Sequence, residues 1–301
     1  MIDGLLVVDK PAGWTSHDVV AKLRGATRQR RIGHAGTLDP DATGILLVGL
    51  GRVTRLMRFL QETTKEYQGV VAFGVATDTL DAAGVELARR EMPDLDLAAV
   101  EAALGAFRGE IMQIPPMVSA LKIDGKRLHE LAREGKEVER APRPVRIDRF
   151  DVESFTPGPL PQATVLVECS SGTYIRSLAA DLGTALGGYA HLASLSRRRV
   201  GAFTLEDAQP LDVLVADPIP YVLSPAIALR GMETVTVDSE RQVAIANGKM
   251  FDESTITVVG DGPYAMLDAA GDLLAVYERR GSGFKPSVVI PVAHAASGAG
   301  E

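Results

Sequence analysis

Residues 33–44 of the chain read GHAGTLDPDATG, and the apolar run ILLVGLG follows directly at residues 45–51. The first stretch holds three glycines, one proline and two aspartates, a composition that disfavours the interior of a helix or a strand. It also places His34, Asp39 and Asp41 among glycines, which let a backbone approach a ligand closely. We therefore predict a structured, functional loop over residues 33–44 that leads into a buried strand.

Short elements of both kinds surround this loop. Upstream, GLLVVD at residues 4–9 and the turn signal KPAG predict a strand, and Ser16 is predicted as the N-cap of the helix that follows. Downstream, the apolar spacing predicts a helix over 52–61, a strand over 66–77, a helix over 97–107 and a strand that runs into a helix over 163–186. Because these elements lack a regular βαβ period, we predict an α+β fold with a mixed sheet and flanking helices.

A proline-rich stretch near residues 215–230 predicts a domain boundary. The short β-like runs TVTVD, STITVVG, YAMLDA, DLLAVYERR and SVVIPV follow it, which predicts a small β-rich domain over residues 229–294. The larger domain then spans residues 1–228, and residues 295–301 are expected to be a disordered tail. Because the candidate functional motifs precede the boundary, we expect a segment ending near residue 228 to fold on its own.

Composition indicates an ordinary globular protein, with 301 residues of which 46% are apolar. The single cysteine, Cys169, lies in the alternating run VLVEC, so we predict a buried strand thiol and no internal disulfide. The N-terminal apolar run is interrupted by Asp9 and Lys10, and no stretch approaches the roughly 18 apolar residues of a membrane span. We therefore expect a cytoplasmic protein without a membrane segment.

The net charge of −7 argues at first against a nucleic-acid partner, because phosphate contacts are made mainly by Lys and Arg. The charge is unevenly distributed, however. Residues 1–60 carry a net +4 and residues 111–150 a net +3, whereas residues 201–301 carry −8. An RNA-binding face is therefore compatible with the two basic segments, although the composition does not require one.

Taken alone, the loop over residues 33–44 admits several kinds of site. DPDATG is by itself an ordinary Asx turn. His34, Asp39 and Asp41 suggest a metal site, but no HxxxH pattern or carboxylate cluster supplies the remaining ligands. The sequence also lacks the GxSxG elbow, the GxxxxGK[ST] phosphate loop and a GxGxxG fingerprint after a strand. We therefore expect neither a metal nor a nucleotide cofactor.

Further motifs occur in a fixed order over about the first two thirds of the chain. They are DKPAGWTSHDVV (9–20), GHAGTLDPDATGILLVGLGRVTR (33–55), KEY (65–67), FGVATDTLDAAG (73–84), QIPPMVSALKIDGKRLHELAREG (113–135) and SSGTYIRSLAADLG (170–183). Together they resemble the motifs of the TruB family of tRNA pseudouridine synthases. One departure is His129, where the family usually has tyrosine.

The resemblance implies a cofactor-free isomerisation that detaches uracil from ribose C1′ and reattaches it through C5. It assigns Asp39 as the catalytic carboxylate, which needs no prior deprotonation at neutral pH to act as a nucleophile. Arg176 matches the family arginine that pairs with this carboxylate, and Tyr67 matches the tyrosine that stacks on the base and assists proton transfer. Attack on the base, attack on the sugar and a glycal route stay open.

The resemblance also implies which residues bind the substrate. The partner is the T-arm and T-loop of tRNA, whose target base must leave its stack at a cost of about a few kcal/mol. His34 matches the residue that fills the vacated space, Tyr174 and Leu195 match the uracil pocket, and Lys10 matches a residue that supports the active-site loop. A charge-dense segment around residues 119–149, with Lys122, resembles an RNA-gripping insertion.

By position and β content, residues 229–294 resemble a PUA-like RNA-binding domain, and the protein is expected to be a monomer. Two other functions compete with the synthase. A non-catalytic RNA-binding module would use the same fold but would not need an ionised carboxylate near RNA phosphates. A small-molecule hydrolase would use the carboxylate-rich loop, and a closed narrow pocket would favour it.

Overall fold

The structure is a computed structural model that describes residues 2–119, 121–123, 126–128 and 138–290. Its strands are, in chain order, β1 (Gly4–Lys10), β2 (Ile32–Ala35), β3 (Thr43–Leu50), β4 (Lys65–Phe73), β5 (Val75–Thr77), β6 (Glu86–Arg89), β7 (Gly109–Gln113), β8 (Lys122–Ile123), β9 (Lys126–Arg127), β10 (Arg143–Thr156), β11 (Gln162–Cys169), β12 (Ala190–Val200), β13 (Phe203–Thr204), β14 (Gln209–Pro210), β15 (Glu233–Thr236), β16 (Phe251–Asp252), β17 (Tyr264–Leu267), β18 (Leu273–Arg280) and β19 (Gly283–Val289).

The α-helices are α1 (Ser16–Thr27), α2 (Met57–Gln61), α3 (Leu97–Leu104), α4 (Ile175–Ala185), α5 (Leu211–Ala216), α6 (Pro225–Ala228) and α7 (Ser239–Ala246). Short 3₁₀ turns lie at Gly51–Leu56, Gly105–Phe107, Leu205–Asp207 and Ile219–Tyr221. A search of the described ranges finds no helix with the length and apolar character that crossing a membrane requires.

The larger sheet carries its strands in the order β14, β1, β3, β12, β4, β11, β10, β7, with β2 beside β3 and β13 beside β12. Most neighbours are antiparallel, whereas β1 with β14 and β3 with β12 are parallel. Helices α1 and α5 pack against β1 and β3, and helices α3 and α4 pack against β4, β11 and β12. The predicted α+β fold with a mixed, largely antiparallel sheet is confirmed.

Helix α1 begins one residue earlier than its predicted cap implies. Thr15 is the N-cap, and its hydroxyl and backbone form a capping box with Asp18. Ser16, predicted as the cap, is the first helical residue and is fully buried. Its hydroxyl accepts the Leu38 N–H at 2.9 Å and donates to the Leu38 carbonyl at 3.3 Å. Ser16 thus fastens the loop over residues 33–44 to the helix.

Three predicted elements differ in extent from those observed. The predicted loop over 33–44 begins as β2, where His34 pairs with Val48 of β3. The predicted helix over 52–61 starts as a 3₁₀ turn and becomes α-helical only from Met57. The predicted strand over 66–77 breaks at Gly74, whose φ of +92° is a conformation that side chains with a Cβ rarely adopt.

A second sheet, in the order β15, β17, β18, β19, β16, forms from the C-terminal part of the chain. The β-rich character was predicted, but residues 254–260 (STITVVG) form no strand and α7 was not predicted. This helix is nucleated by Asp238, whose side chain accepts the Arg241 N–H at 2.9 Å. The local cap outweighs the surrounding β-like composition.

The two sheets share one hydrophobic core. Leu5, Val53 and Phe59 from the first part of the chain belong to the same buried cluster as Val276 and Val288 from the second sheet. The Arg55 guanidinium also donates to the Val289 carbonyl at 2.8 Å, and Arg58 pairs with Glu278 at 2.8 Å. This packing opposes independent folding of a segment that ends near residue 228. The boundaries 1–228 and 229–294 stay predictions, and residues 295–301 lie outside the described residues.

Cys169 ends β11 and is fully buried, which confirms the predicted strand thiol. Burial raises the pKa of this thiol to about 12. The thiol is therefore neutral at physiological pH and is not a nucleophile in the resting protein.

Val276 tests whether the shared core couples the two sheets. Val276→Ala removes two methyl groups from a fully buried site, and we expect the free energy of unfolding to fall by about 2 kcal/mol. Because the core is shared, the whole chain should lose this stability in one cooperative transition, measured by denaturant unfolding followed with both circular dichroism and fluorescence.

Val259→Ala is the matched control, because Val259 is 77% exposed and should change the free energy of unfolding by less than about 0.5 kcal/mol. Two separate transitions, with only one shifted by Val276→Ala, would show that the sheets unfold independently.

Candidate functional site

The loop after β2 opens into a cavity of about 490 Å³ on the larger sheet. The cavity is lined by Asp39 from this loop, Tyr67 from β4, Tyr174 and Arg176 around the start of α4, and Leu195 from β12. Five residues predicted from distant parts of the sequence therefore meet at one site. Asp39 and Arg176, which are in direct contact, are 137 residues apart in sequence.

Arg176 binds the Asp39 carboxylate through two of its nitrogen atoms. Its Nε lies 3.0 Å from Asp39 Oδ2, and its Nη2 donates to Oδ1 at 3.2 Å. The Arg176 side chain is only 5% exposed, whereas that of Asp39 is 42% exposed. A bidentate pair fixes the orientation of a carboxylate as well as its charge, so the free face of Asp39 is aimed into the cavity.

The remaining hydrogen-bonding groups of Arg176 are also occupied. Nη1 donates to the Thr79 carbonyl at 2.9 Å and lies 3.6 Å from Asp81 Oδ2, and Nη2 donates to the Val118 carbonyl at 2.8 Å. Asp81 itself accepts from the Thr79 hydroxyl and from the Ala83 N–H. Sequence reasoning missed Asp81, although it lies in the quoted motif FGVATDTLDAAG.

The charge state of Asp39 is set by opposing influences. Partial burial raises the pKa of its carboxyl above the ordinary value, and the nearby Asp81 carboxylate adds to this rise. Arg176 and Lys10 counteract both effects. The arginine therefore keeps a partly desolvated carboxylate available as an anion.

Tyr67 lies on β4, between two neighbouring strands. It pairs with Arg197 of β12 on one side and with Val167 of β11 on the other. Burial raises the pKa of its phenol above the ordinary value, while the charge of the neighbouring Arg197 acts in the opposite direction. The phenol is therefore neutral at physiological pH and offers both a donor and an acceptor to the cavity.

Tyr174 and Leu195 form two further walls of the cavity. Tyr174 precedes α4, and its backbone N–H and carbonyl are both held by the Gln113 side chain, at 2.8 Å and 3.0 Å. Leu195 is half-buried and pairs with Gly69 of β4. An aromatic ring and an aliphatic side chain beside the carboxylate suit a flat, partly polar ring as the ligand.

Lys10 is fully buried and donates to three carbonyls, those of Pro11, Trp14 and Pro40, at 2.7–2.9 Å. All three N–H groups of the ammonium are thus engaged, and the bond to Pro40 ties the turn after β1 to the residue next to Asp39. Burial lowers the pKa of Lys10 to about 8. The arrangement favours support of the loop over direct contact with a substrate.

His34 lies on β2, outside the cavity wall, with its ring centroid 5.4 Å from that of His17 in an edge-to-face arrangement. Burial lowers its pKa to about 4, so the imidazole is neutral. Its Nδ1 makes no hydrogen bond within the described part of the chain. A neutral ring with little local anchoring is suited to stacking against a base.

Lys122 begins β8, which pairs with β9 through Lys122 and Arg127. His129 lies outside the described residues, as does much of the segment 119–149. In the ranges that the structure describes, no group of three or more His, Cys, Asp or Glu side chains is arranged to hold a metal ion.

Comparison with known sequences decides the family. The profile of the TruB family pseudouridylate synthase N-terminal domain matches residues 24–175, which include the loop over residues 33–44, Tyr67, Asp81 and Tyr174. This chain belongs to the TruB family. A TruB relative named tRNA pseudouridine synthase B, from Corynebacterium aurimucosum, is 45% identical over 92% of this chain and 93% of its own length. The protein of the same name from Thermobifida fusca is 43% identical over 96% of this chain and 99% of its own length.

Solved structures agree on the TruB-type fold. A Cbf5–Nop10–Gar1 complex contains a chain of 25% identity that superposes with a TM-score of 0.73, covering 95% of this chain and 83% of the other. A chain in an H/ACA ribonucleoprotein bound to a substrate RNA containing 2′-deoxyuridine superposes with a TM-score of 0.72 at 22% identity, covering 96% of this chain and 85% of the other.

Replacement of Arg176 tests its electrostatic role. Arg176→Met removes the cation that counteracts the rise in the pKa of Asp39, so this pKa should rise further. The anionic form would then be lost at a higher pH as the solution is acidified. The measurement is an NMR titration of ¹³C-labelled aspartate carboxyls, with the Asp39 signal assigned by its absence in Asp39→Asn.

Arg89→Met is the control, because Arg89 pairs with Glu86 on the protein surface. An Asp39 titration that is unchanged or shifted to lower pH in a folded Arg176→Met protein would contradict the assigned role.

Proposed function

We propose that this protein converts the uridine at position 55, in the T-loop of tRNA, to pseudouridine without a cofactor, with Asp39 as the essential carboxylate. The observation that carries the proposal is the bidentate Asp39–Arg176 pair facing Tyr67 across one cavity. Relatives named tRNA pseudouridine synthase B that align over more than nine tenths of this chain support the substrate class.

The isomerisation needs no oxidant or reductant. The N1–C1′ glycosidic bond breaks, a C5–C1′ bond forms, the C5 proton leaves and N1 gains a proton. The enzyme therefore has to hold a detached uracil beside its ribose, supply a nucleophile or base, and move one proton. The packed wall holds the detached uracil, the carboxylate is the nucleophile or base, and the phenol moves the proton.

Asp39 supplies the anion. Arg176 orients it and keeps it ionised, and the bonds of the arginine to the Thr79 and Val118 carbonyls prevent the pair from turning away. Tyr67, as a neutral phenol, stacks on the base and is placed to exchange a proton with it. Asp81 contributes by holding the loop that carries the Thr79 carbonyl against Arg176.

The base reaches this cavity only after leaving its stack, which costs about a few kcal/mol. His34 is placed outside the cavity, where its neutral ring can occupy the space that the base leaves. Tyr174 and Leu195 enclose the flipped ring. Stacking and enclosure thus offset the cost of extrusion.

The protein binds the tRNA backbone through phosphate contacts that are spread over its surface. Lys122 and the segment 119–149 contribute to these contacts. The catalytic unit is assigned to residues 1–228 and a PUA-like module to residues 229–294. The net charge of −3 over residues 229–294 makes the second module the weaker contributor to phosphate binding. One chain carries the whole site, which is compatible with a monomer.

Asp39→Asn separates an enzyme from a binding module. Asparagine keeps the size of the side chain but cannot supply an anionic nucleophile, so pseudouridine formation should be abolished. Affinity for tRNA should stay within about tenfold, or roughly 1.4 kcal/mol, because the grip comes from phosphate contacts and stacking. Product is measured by pseudouridine-specific chemical mapping and affinity by filter binding.

Asp41→Asn is the matched control, because Asp41 lies two residues away and is exposed. It should retain both activity and affinity. If Asp39→Asn still converts the T-loop uridine at a near-normal rate, Asp39 is only a turn-capping residue and the proposal is wrong.

A further inference from the structure

Arg197 is a charged side chain in the wall of the cavity that neither the motifs nor the proposed chemistry has assigned. It lies on β12 with 1% of its surface exposed. In the sheet it stands between Gly44 of β3 on one side and Tyr67 of β4 on the other. It therefore connects the strand that follows the catalytic loop with the strand that carries the phenol.

The approach of β12 to the catalytic loop is unusually close at this point. A Cβ at Gly44 would lie 2.3 Å from the Arg197 carbonyl oxygen, and Gly44 has a φ of +93°. Only glycine fits such a position without displacing backbone. The last glycine of the motif GHAGTLDPDATG thus serves to bring Arg197 against the loop.

The Arg197 guanidinium reaches both parts of the site. Its Nε donates to the Ile45 carbonyl at 2.7 Å, and its Nη2 donates to the Gly36 carbonyl at 3.1 Å. Arg197 also stands directly opposite Tyr67 in the sheet, and both side chains line the cavity. Gly36 is three residues before Asp39. One side chain therefore contacts the loop over residues 33–44 and stands beside the tyrosine that carries the phenol.

A purely structural role does not account for the free-energy cost of burying the charge of Arg197. A guanidinium stays charged in the protein interior, and burial of an unpaired charge is costly. Among the described residues, no carboxylate forms an ion pair with Arg197, in contrast to Arg176. A neutral side chain of similar volume would fill the space at lower cost. The retained charge therefore indicates a function at the site it touches.

We propose that Arg197 is a positioning residue that orients the Tyr67 phenol toward the uracil. This inference rests on the proposed function. A guanidinium is cationic and only donates, so with Arg197 directly opposite Tyr67 the phenol is favoured with its oxygen toward the arginine and its O–H hydrogen turned away, into the cavity. The phenol is then held with its proton directed at the space that the base occupies.

The charge of Arg197 also acts on the acidity of the phenol. Burial raises the pKa of Tyr67, and the neighbouring Cys169 and Asp39 add to this rise, whereas Arg197 opposes it. Lys65, which also lines the cavity, lies near Cys169. Loss of the Arg197 charge should therefore raise the pKa of Tyr67 and make the phenol less able to give up its proton.

The test uses the full chain labelled with 3-fluorotyrosine and ¹⁹F NMR, with the Tyr67 signal assigned by its absence in Tyr67→Phe. Arg197→Met should move the Tyr67 titration midpoint to higher pH, and Arg197→Lys, which keeps a charge, should restore part of the shift. Single-turnover pseudouridine formation by Arg197→Met should fall about 10²-fold, the scale of positioned proton transfer, with tRNA affinity unchanged within about threefold.

Arg198→Met is the matched control, because Arg198 is the adjacent residue but is exposed and donates to Gln68. It should leave the Tyr67 titration and the rate unchanged. A Tyr67 titration that is the same in wild type and in folded Arg197→Met would overturn the proposal. If Arg197→Met does not fold, an Arg197→Lys protein with a wild-type melting temperature, an unshifted Tyr67 signal and a full rate would overturn it as well.

The two arms also separate this proposal from the proposed function. The NMR arm reports on the contact between Arg197 and Tyr67 whether or not the protein modifies tRNA. A shifted titration in an enzyme that forms no pseudouridine would therefore refute the assigned reaction and leave the contact intact.

Discussion

The site depends on one buried guanidinium, that of Arg176, which holds Asp39 with two bonds while two backbone carbonyls and Asp81 hold the arginine in turn. A carboxylate placed in a cavity loses hydration and tends to protonate, and the charge and hydrogen bonds of Arg176 oppose this tendency. The large sheet supplies the rigidity, because it brings the start of α4 and the loop after β2 to the same edge of the cavity. Lys10 and Ser16 then fix the loop from its other side.

The local parts of this arrangement could be predicted from the sequence. Glycine, proline and aspartate predict the loop, apolar runs predict most of the strands, and the alternation around Cys169 predicts a buried thiol. The contact of Asp39 with Arg176 was available only through the resemblance to TruB enzymes, because composition carries no information about which distant residues meet. Asp81 and Arg197 were missed for the same reason. Their roles arise from a turn against α4 and from the register of β12 with β4.

One prediction that composition leaves incomplete and one missed helix also have physical causes. The proline-rich stretch before Ala228 indicates a boundary in composition, but it says nothing about whether the apolar faces on either side pack together. They do, through Phe59 and Val276 among others. Helix α7 was missed because its β-like surroundings masked a short segment whose formation depends on one capping aspartate, Asp238. In both cases tertiary packing or a single cap outweighs average composition.

The most direct test of the central claim is incubation of the protein with an unmodified tRNA transcript, in the absence of added metal or cofactor, followed by pseudouridine-specific chemical mapping of the whole transcript. The proposed function predicts one new pseudouridine, in the T-loop at position 55. A transcript that acquires no pseudouridine, or acquires it only outside the T-loop, would contradict the account.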